Sequence, residues 1–225
     1  MIYNSVEEMK SKLILGIFSK ENDFFNITDG IGISKGPFVL RPLLIADNEG
    51  KDNSSFYVVG KEIMQTFNMS EDEIITIAKQ NSMEKYPGEM KALTDFISIT
   101  ERVMVPDGVI IPQIYVITNS NLCCGAAAMF YQPELLANLA ELTKKDLAVF
   151  PADLNCVYCV PVSNAEQLRE YQDMYRVAIE DTEHVLSIEV LHYDATNKQL
   201  KQLDGVAIDL AQEQNNMRMR MHGGR

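Results

Sequence analysis

The chain has 225 residues and a formal net charge of -12 at pH 7, and 46% of its residues are hydrophobic. This composition predicts an ordinary globular protein with one domain or two small ones, and the negative charge disfavours binding to nucleic acid. Because no apolar run approaches the roughly 20 residues of a membrane span and the N-terminus is acidic, we expect a cytoplasmic protein with no membrane partner and with reduced thiols.

The chain begins with a predicted helix. Ser5 and Glu8 form a capping box, and apolar residues then recur with helical spacing, so residues 5–19 are predicted to be one amphipathic helix. Residues 24–37 have the composition of a loop or hairpin. A strand over residues 38–46 follows.

Pro42 interrupts this strand, and it would suit an edge position because proline has no backbone N–H.

A short β-rich run over residues 55–60 comes next. Three helices are predicted after it, over residues 61–67, 69–81 and 86–99. The first begins at a Lys-Glu pair, the second at a capping box and the third at a proline.

Strands and helices are interspersed in the second half. The predicted strands cover residues 113–119, 125–131, 146–151, 155–162, 187–194 and 198–205. The predicted helices cover residues 133–143, 165–181 and a last short stretch that begins at residue 206.

This order predicts an α+β fold with a mixed, largely antiparallel sheet flanked by helices, since strands and helices do not alternate strictly. We expect an N-terminal helix and loop or strand segment over residues 1–55 and an α+β core over residues 56–205. A short helix and a flexible basic tail would complete the chain over residues 206–225.

Three sequence blocks resemble a known family. They are GAAAMFY at residues 125–131, FPADL at residues 150–154 with the apolar strand behind it, and the helix at residues 69–81. On these blocks the stretch from residue 56 to about 203 resembles an uncharacterised bacterial family, domain of unknown function 5688, and more distantly family 1444. The resemblance implies a fold and a bacterial context, and it implies no activity.

Two close cysteine pairs are the strongest chemical signal. Cys123 with Cys124, and Cys156 with Cys159, would suffice for a tetrahedral zinc site or for a redox pair. Residues three apart in a strand point to opposite faces, however, and adjacent extended residues also diverge. We therefore expect buried thiols, no metal and no cofactor.

A cysteine nucleophile needs a histidine base within hydrogen-bond reach. The three histidines are His184 in an acidic loop, His192 in a predicted strand and His222 in the tail. The positions of the three histidines in the sequence give no indication that any of them contacts Cys123 or Cys124.

Two hypotheses for function follow. The favoured one is a non-catalytic binding or regulatory module that contacts a protein partner or a second copy of itself, because no set of acid, base and nucleophile is evident. The alternative is a small hydrolase with its site between the turns at residues 119–125 and 151–155. If these turns meet at one end of the sheet, they would bring together Asn119, Cys124 and Asp153.

Overall fold

The computed structural model describes residues 5–20, 30–46, 56–100, 113–119, 121, 123–180 and 185–210. Within these residues the chain forms seven α-helices and eleven strands, and the strands build two antiparallel sheets. The predicted α+β class is confirmed. The division into segments 1–55, 56–205 and 206–225 stays a prediction.

The first sheet has four strands and is centred on its third. The strands are β1 (Leu13–Ser19), β2 (Ile33–Lys35), β3 (Phe38–Ile45) and β4 (Phe56–Val58). β1 pairs with the whole of one side of β3, and β2 and β4 share the other side. All these pairings are antiparallel.

Pro42 therefore lies in a central strand, and the expectation of an edge position is wrong. The pairing with β2 ends at Leu40 and the pairing with β4 begins at Leu43, so Pro42 lies between them. Its carbonyl accepts a hydrogen bond of 3.0 Å from the N–H of Val59. The proline nitrogen faces the same side, where no partner strand requires an N–H.

Three helices accompany the first sheet. They are α1 (Val6–Ser11), α2 (Lys61–Phe67) and α3 (Glu71–Lys85). The predicted helix over residues 5–19 is wrong in its second half, because α1 ends at Ser11 and β1 begins at Leu13. All six residues from Leu13 to Phe18 are buried, and such a continuous apolar run fits a helix and a fully buried strand equally well.

Side chains of α3 cover the free edge of β1. The N–H of Leu15 donates to Ser82 Oγ at 2.8 Å, and Asn81 Nδ2 donates to the carbonyl of Leu13 at 2.9 Å. An uncovered edge strand would offer these groups to another chain. The helix thus closes this side of the first sheet.

The second sheet has seven strands in the order β11-β10-β9-β7-β8-β6-β5. The strands are β5 (Gly88–Ala92), β6 (Tyr115–Asn119), β7 (Asp146–Phe150), β8 (Val157–Val162), β9 (Leu191–Asp194), β10 (Gln199–Lys201) and β11 (Ala207–Ile208). Its helices are α4 (Leu93–Thr100), α5 (Ala128–Tyr131), α6 (Glu134–Thr143) and α7 (Ala165–Ala178).

Three predictions of secondary structure are wrong here. The predicted helix 86–99 divides into β5 and α4, and the predicted strand 125–131 is a 3-10 turn (Gly125–Ala127) followed by α5. The predicted last helix starts in a strand, β11, and the rest of it lies largely outside the described residues. Residues 125–131 are apolar throughout, so they show neither the alternating nor the 3.6-residue pattern that would separate a strand from a helix.

The second sheet separates two cores. On one face the side chains of β6 to β9 pack with the first sheet, α5 and α6, and Phe38 meets Phe130 edge to face at 6.0 Å between ring centroids. On the other face Ala148, Val162 and Val190 pack against Leu168 and Tyr175 of α7.

None of the helices described here has the length and apolar character needed to cross a bilayer.

Candidate functional site

The two turns that were expected to form a site do meet. Thr118 Oγ1 donates to the carbonyl of Asn155 at 2.7 Å, and the N–H of Ala126 donates to the carbonyl of Leu154 at 3.2 Å. The N–H of Cys124 also donates to Asn155 Oδ1 at 3.2 Å. Backbone and side-chain hydrogen bonds therefore join the two turns directly.

The side chain of Asn119 is occupied within its own turn. It is 1% exposed, its Oδ1 accepts from the N–H groups of Asn121 and Cys123, and its Nδ2 donates to the carbonyl of Cys123 at 2.7 Å. An amide group has at most two donors and one accepting oxygen, so little capacity remains for a substrate. The contacts give Asn119 the role of shaping the turn.

Asp153 also bonds to its own turn. Its Oδ1 accepts from the N–H of Asn155 at 2.6 Å and from the N–H of Cys156 at 3.0 Å. This is an Asx-turn, in which the carboxylate replaces a backbone acceptor. A catalytic role for Asn119, Cys124 and Asp153 stays a prediction, and the contacts described here do not favour it.

The two adjacent cysteines have different environments. Cys124 is 3% exposed and has a left-handed backbone with φ of 52°, whereas Cys123 is half-buried. A hydrogen bond from the Cys124 thiol lowers the pKa of Cys123, although burial acts the other way. The same hydrogen bond, together with burial, raises the pKa of Cys124 well above its usual value. Of these two cysteines, Cys123 is therefore the one that forms the thiolate more readily.

The other cysteine pair lies next to and within β8. Burial raises the pKa of Cys156 to about 12 and raises the pKa of Cys159 further. Among all the residues described, no group of three or more His, Cys, Asp and Glu side chains is placed to hold a metal ion. Cys123 and Cys124 contact each other, and the four thiols do not form one such group.

We expect iodoacetamide at about pH 8 to alkylate Cys123 before the other three cysteines of the native protein, because the thiolate is the reactive form. Intact-mass and peptide mass spectrometry would follow the reaction, with a Cys123→Ser variant as the control that loses the fast addition. Equal rates for Cys123 and Cys159 would contradict the arrangement of thiols described above.

A second polar cluster lies on the face of the second sheet that packs against α7. In the β7–β9 pairing His192 is opposite Ala148, which places its side chain on the same face as that of Asp146, two residues earlier in β7. His192 Nε2 donates to Asp146 Oδ2 at 2.9 Å, and the N–H of Ala195 donates to Asp146 Oδ1 at 3.0 Å. The carboxylate can only accept, so Nε2 carries the proton.

The pair lines a cavity of about 450 Å³ beside the first turns of α7, which we call the α7 cavity. Its apolar lining residues are Val162, Ala165, Leu168 and Leu203. Its polar lining residues are Asp146, Asn164, Arg169 and His192. A lining of apolar residues with a few polar groups among them is the usual construction of a ligand-binding pocket.

Lys201 lies next to this cluster but is occupied elsewhere. It is opposite His192 in the β9–β10 pairing, and its Nζ is 2.6 Å from Asp194 Oδ2. The hydrogen bond from Lys201 holds the pKa of Asp194 well below its usual range, and two hydrogen bonds from Asn197 add to the effect. The charge of Lys201 is therefore balanced by Asp194.

Reasoning from the sequence missed the α7 cavity. His192 was expected to be a strand residue without a partner, and Asp146 was only the first residue of a predicted strand. The pair is 46 residues apart in the chain, and it forms because β7 and β9 are neighbours in the sheet. The other two histidines, His184 and His222, lie outside the described residues.

A family model, described as a family of unknown function (DUF5688), matches residues 39–195, which is more than half of the chain. The match confirms the resemblance to this family, while the more distant relation to family 1444 stays a prediction. No curated protein and no solved structure matches the chain.

Proposed function

Since the chain belongs to DUF5688, a family whose function is unknown, we propose from its geometry that it is a non-catalytic binding module that holds part of a partner protein in the α7 cavity. The observation that carries this proposal is the cavity itself, which four apolar and four polar residues line. Its volume of about 450 Å³ falls in the range of roughly 300–1,000 Å³ that is usual for binding pockets.

The polar groups of the cavity suit recognition better than chemistry. His192 is held by Asp146, and Arg169 and Asn164 belong to α7. Among the described lining residues no serine, threonine or cysteine is present to act as a nucleophile. Fixed polar groups beside an apolar wall select a partner by shape and hydrogen bonding.

A small hydrolase with a site between the 119–125 and 151–155 turns is the second candidate. The contact between the turns and the lowered pKa of Cys123 are the observations in its favour. Against it, Asn119 and Asp153 use their polar atoms within the turns, and the hydrogen-bond partner of His192 is Asp146. We therefore prefer the binding module.

Filling the cavity tests the proposal. Ala165 is exposed at the start of α7 and lines the cavity, so an Ala165→Phe variant should fold normally and lose the partner. Ala178→Phe is the matched control, because Ala178 is exposed at the other end of the same helix. Affinity purification from cells of the source organism with mass spectrometry would identify the partner.

We expect the wild-type protein and the Ala178→Phe variant to capture the same protein and the Ala165→Phe variant to lose it. If the Ala165→Phe variant keeps an unchanged far-UV circular dichroism spectrum and still captures that protein, the α7 cavity is not the binding site. A substrate turned over by the wild-type protein and not by Cys123→Ser would favour the hydrolase instead.

A further inference from the structure

The side-chain oxygens of Asp146 and Asn164, which line the α7 cavity, already accept hydrogen bonds. Asp146 is the acid among the lining residues, and its two oxygens accept from the N–H of Ala195 and from His192. Asn164 is the N-cap residue of α7, and its Oδ1 accepts from the N–H of Gln167 at 2.9 Å. These bonds belong to the fold, so the acceptors have reduced capacity for a ligand.

Two side chains that line the cavity, Arg169 and Asn164, have free donors. Arg169 is exposed and makes no hydrogen bond or ion pair with the residues that the structure describes, and the same holds for Asn164 Nδ2. A guanidinium has five N–H donors in a planar fork and no acceptor. The free donors of Arg169 and Asn164 therefore suit a ligand that accepts hydrogen bonds.

Two acids of α7 are neighbours of Arg169 on the helix surface. Glu166 lies three residues before Arg169 and Asp173 lies four residues after it. Neither acid forms an ion pair with Arg169 and neither lines the cavity, so the guanidinium keeps its donors free there. Lys201 is balanced by Asp194.

We propose that the α7 cavity binds an apolar group that ends in one carboxylate. Val162, Leu168 and Leu203 supply the apolar wall, and Arg169 pairs with the carboxylate. The planar fork of a guanidinium matches a carboxylate in two parallel hydrogen bonds. Because Asp146 lines the same cavity and Glu166 and Asp173 neighbour Arg169, a singly charged carboxylate is repelled less there than a doubly charged phosphate. The inference rests on the proposed function, since an apolar C-terminal residue of a partner protein has this chemistry, and a free aliphatic acid has it too.

Fluorescence anisotropy with defined probes tests the chemistry on the full-length protein. The probes are fluorescent peptides of mixed sequence that end in leucine with a free carboxylate, and the same peptides ending in leucine amide. Decanoate, added as a competitor, represents the free acid. We expect the free-carboxylate peptides to bind about tenfold more tightly than the amides, as a charge-assisted hydrogen bond allows.

The variants separate the role of Arg169 from a general effect of charge. Arg169→Gln should abolish the preference for the free carboxylate, because the variant keeps a long polar side chain without its charge. Arg176→Gln is the control, since Arg176 is an exposed arginine two turns further along α7 and does not line the cavity. It should bind the probes as the wild-type protein does.

The outcomes are distinct. Stronger binding of decanoate than of the peptides, lost in Arg169→Gln, supports the carboxylate and identifies a free acid as its source. Equal binding of acid and amide peptides, or no binding of any probe, overturns the inference. If no probe binds, the proposed function still stands provided that the Ala165→Phe variant loses a captured partner. The experiments can therefore refute this inference without refuting the proposed function.

Discussion

Replacement of Gly125 by alanine is expected to lower the free energy of unfolding by about 3 kcal/mol, which is the cost of severe overpacking. A Cβ at this position would lie 2.5 Å from the carbonyl oxygen of Asn155 and 2.7 Å from the backbone nitrogen of Asn119. Backbone atoms of two turns cannot rotate away, so the hydrogen bonds between the turns would have to break. Urea denaturation followed by far-UV circular dichroism measures the loss, because the chain has no tryptophan.

Gly205 provides the matched control for this substitution. It has a positive φ of 87°, and among the described residues, apart from Gly205 and its two chain neighbours, no atom lies within 4 Å of the position that a Cβ would occupy. Gly205→Ala therefore meets only the cost of a left-handed backbone, about 1 kcal/mol. A loss in Gly125→Ala no greater than in Gly205→Ala would contradict the close contact between the two turns.

Local signals explain the parts of the fold that could be predicted. Ser70 Oγ accepts from the N–H of Glu73 at 3.2 Å, as the capping box predicted, and Asn164 caps α7 in the same way. Helix boundaries of this kind depend on residues three apart, so the sequence contains the whole interaction. The α+β class followed from the order of such elements.

The wrong predictions concern segments whose structure is decided by distant contacts. Residues 125–131 are apolar throughout, and they fold as a 3-10 turn and α5 because both sheets and α6 surround them. Residues 13–19 form a strand because β3 and α3 cover their two sides. Hydrophobic periodicity cannot distinguish a helix from a strand in a segment that is buried on every face.

The candidate site shows the same division. The sequence indicated that the turns near Asn119 and Asp153 mattered, and in the structure both side chains hold backbone N–H groups. It gave no indication of the α7 cavity, because the pairing of His192 with Asp146 depends on which strands are neighbours. Strand order is a property of the whole chain and not of a motif.

The second large effect is expected for Asn119→Ala, which should lower the free energy of unfolding by about 3 kcal/mol. Asn119 is 1% exposed, and its removal takes away the side chain that bonds both the N–H and the carbonyl of the half-buried Cys123. A buried polar group that loses its hydrogen bond retains its full desolvation cost. Urea denaturation measures the change.

Asn164→Ala is the comparison for Asn119→Ala, because Asn164 is exposed and removal of a helix N-cap costs about 1 kcal/mol. A local readout accompanies the global one. If Asn119 holds the turn, its loss should expose the neighbouring thiol, so that iodoacetamide alkylates Cys124 as well as Cys123 under native conditions. Unchanged stability together with unchanged protection of Cys124 would show that the turn keeps its shape without this side chain.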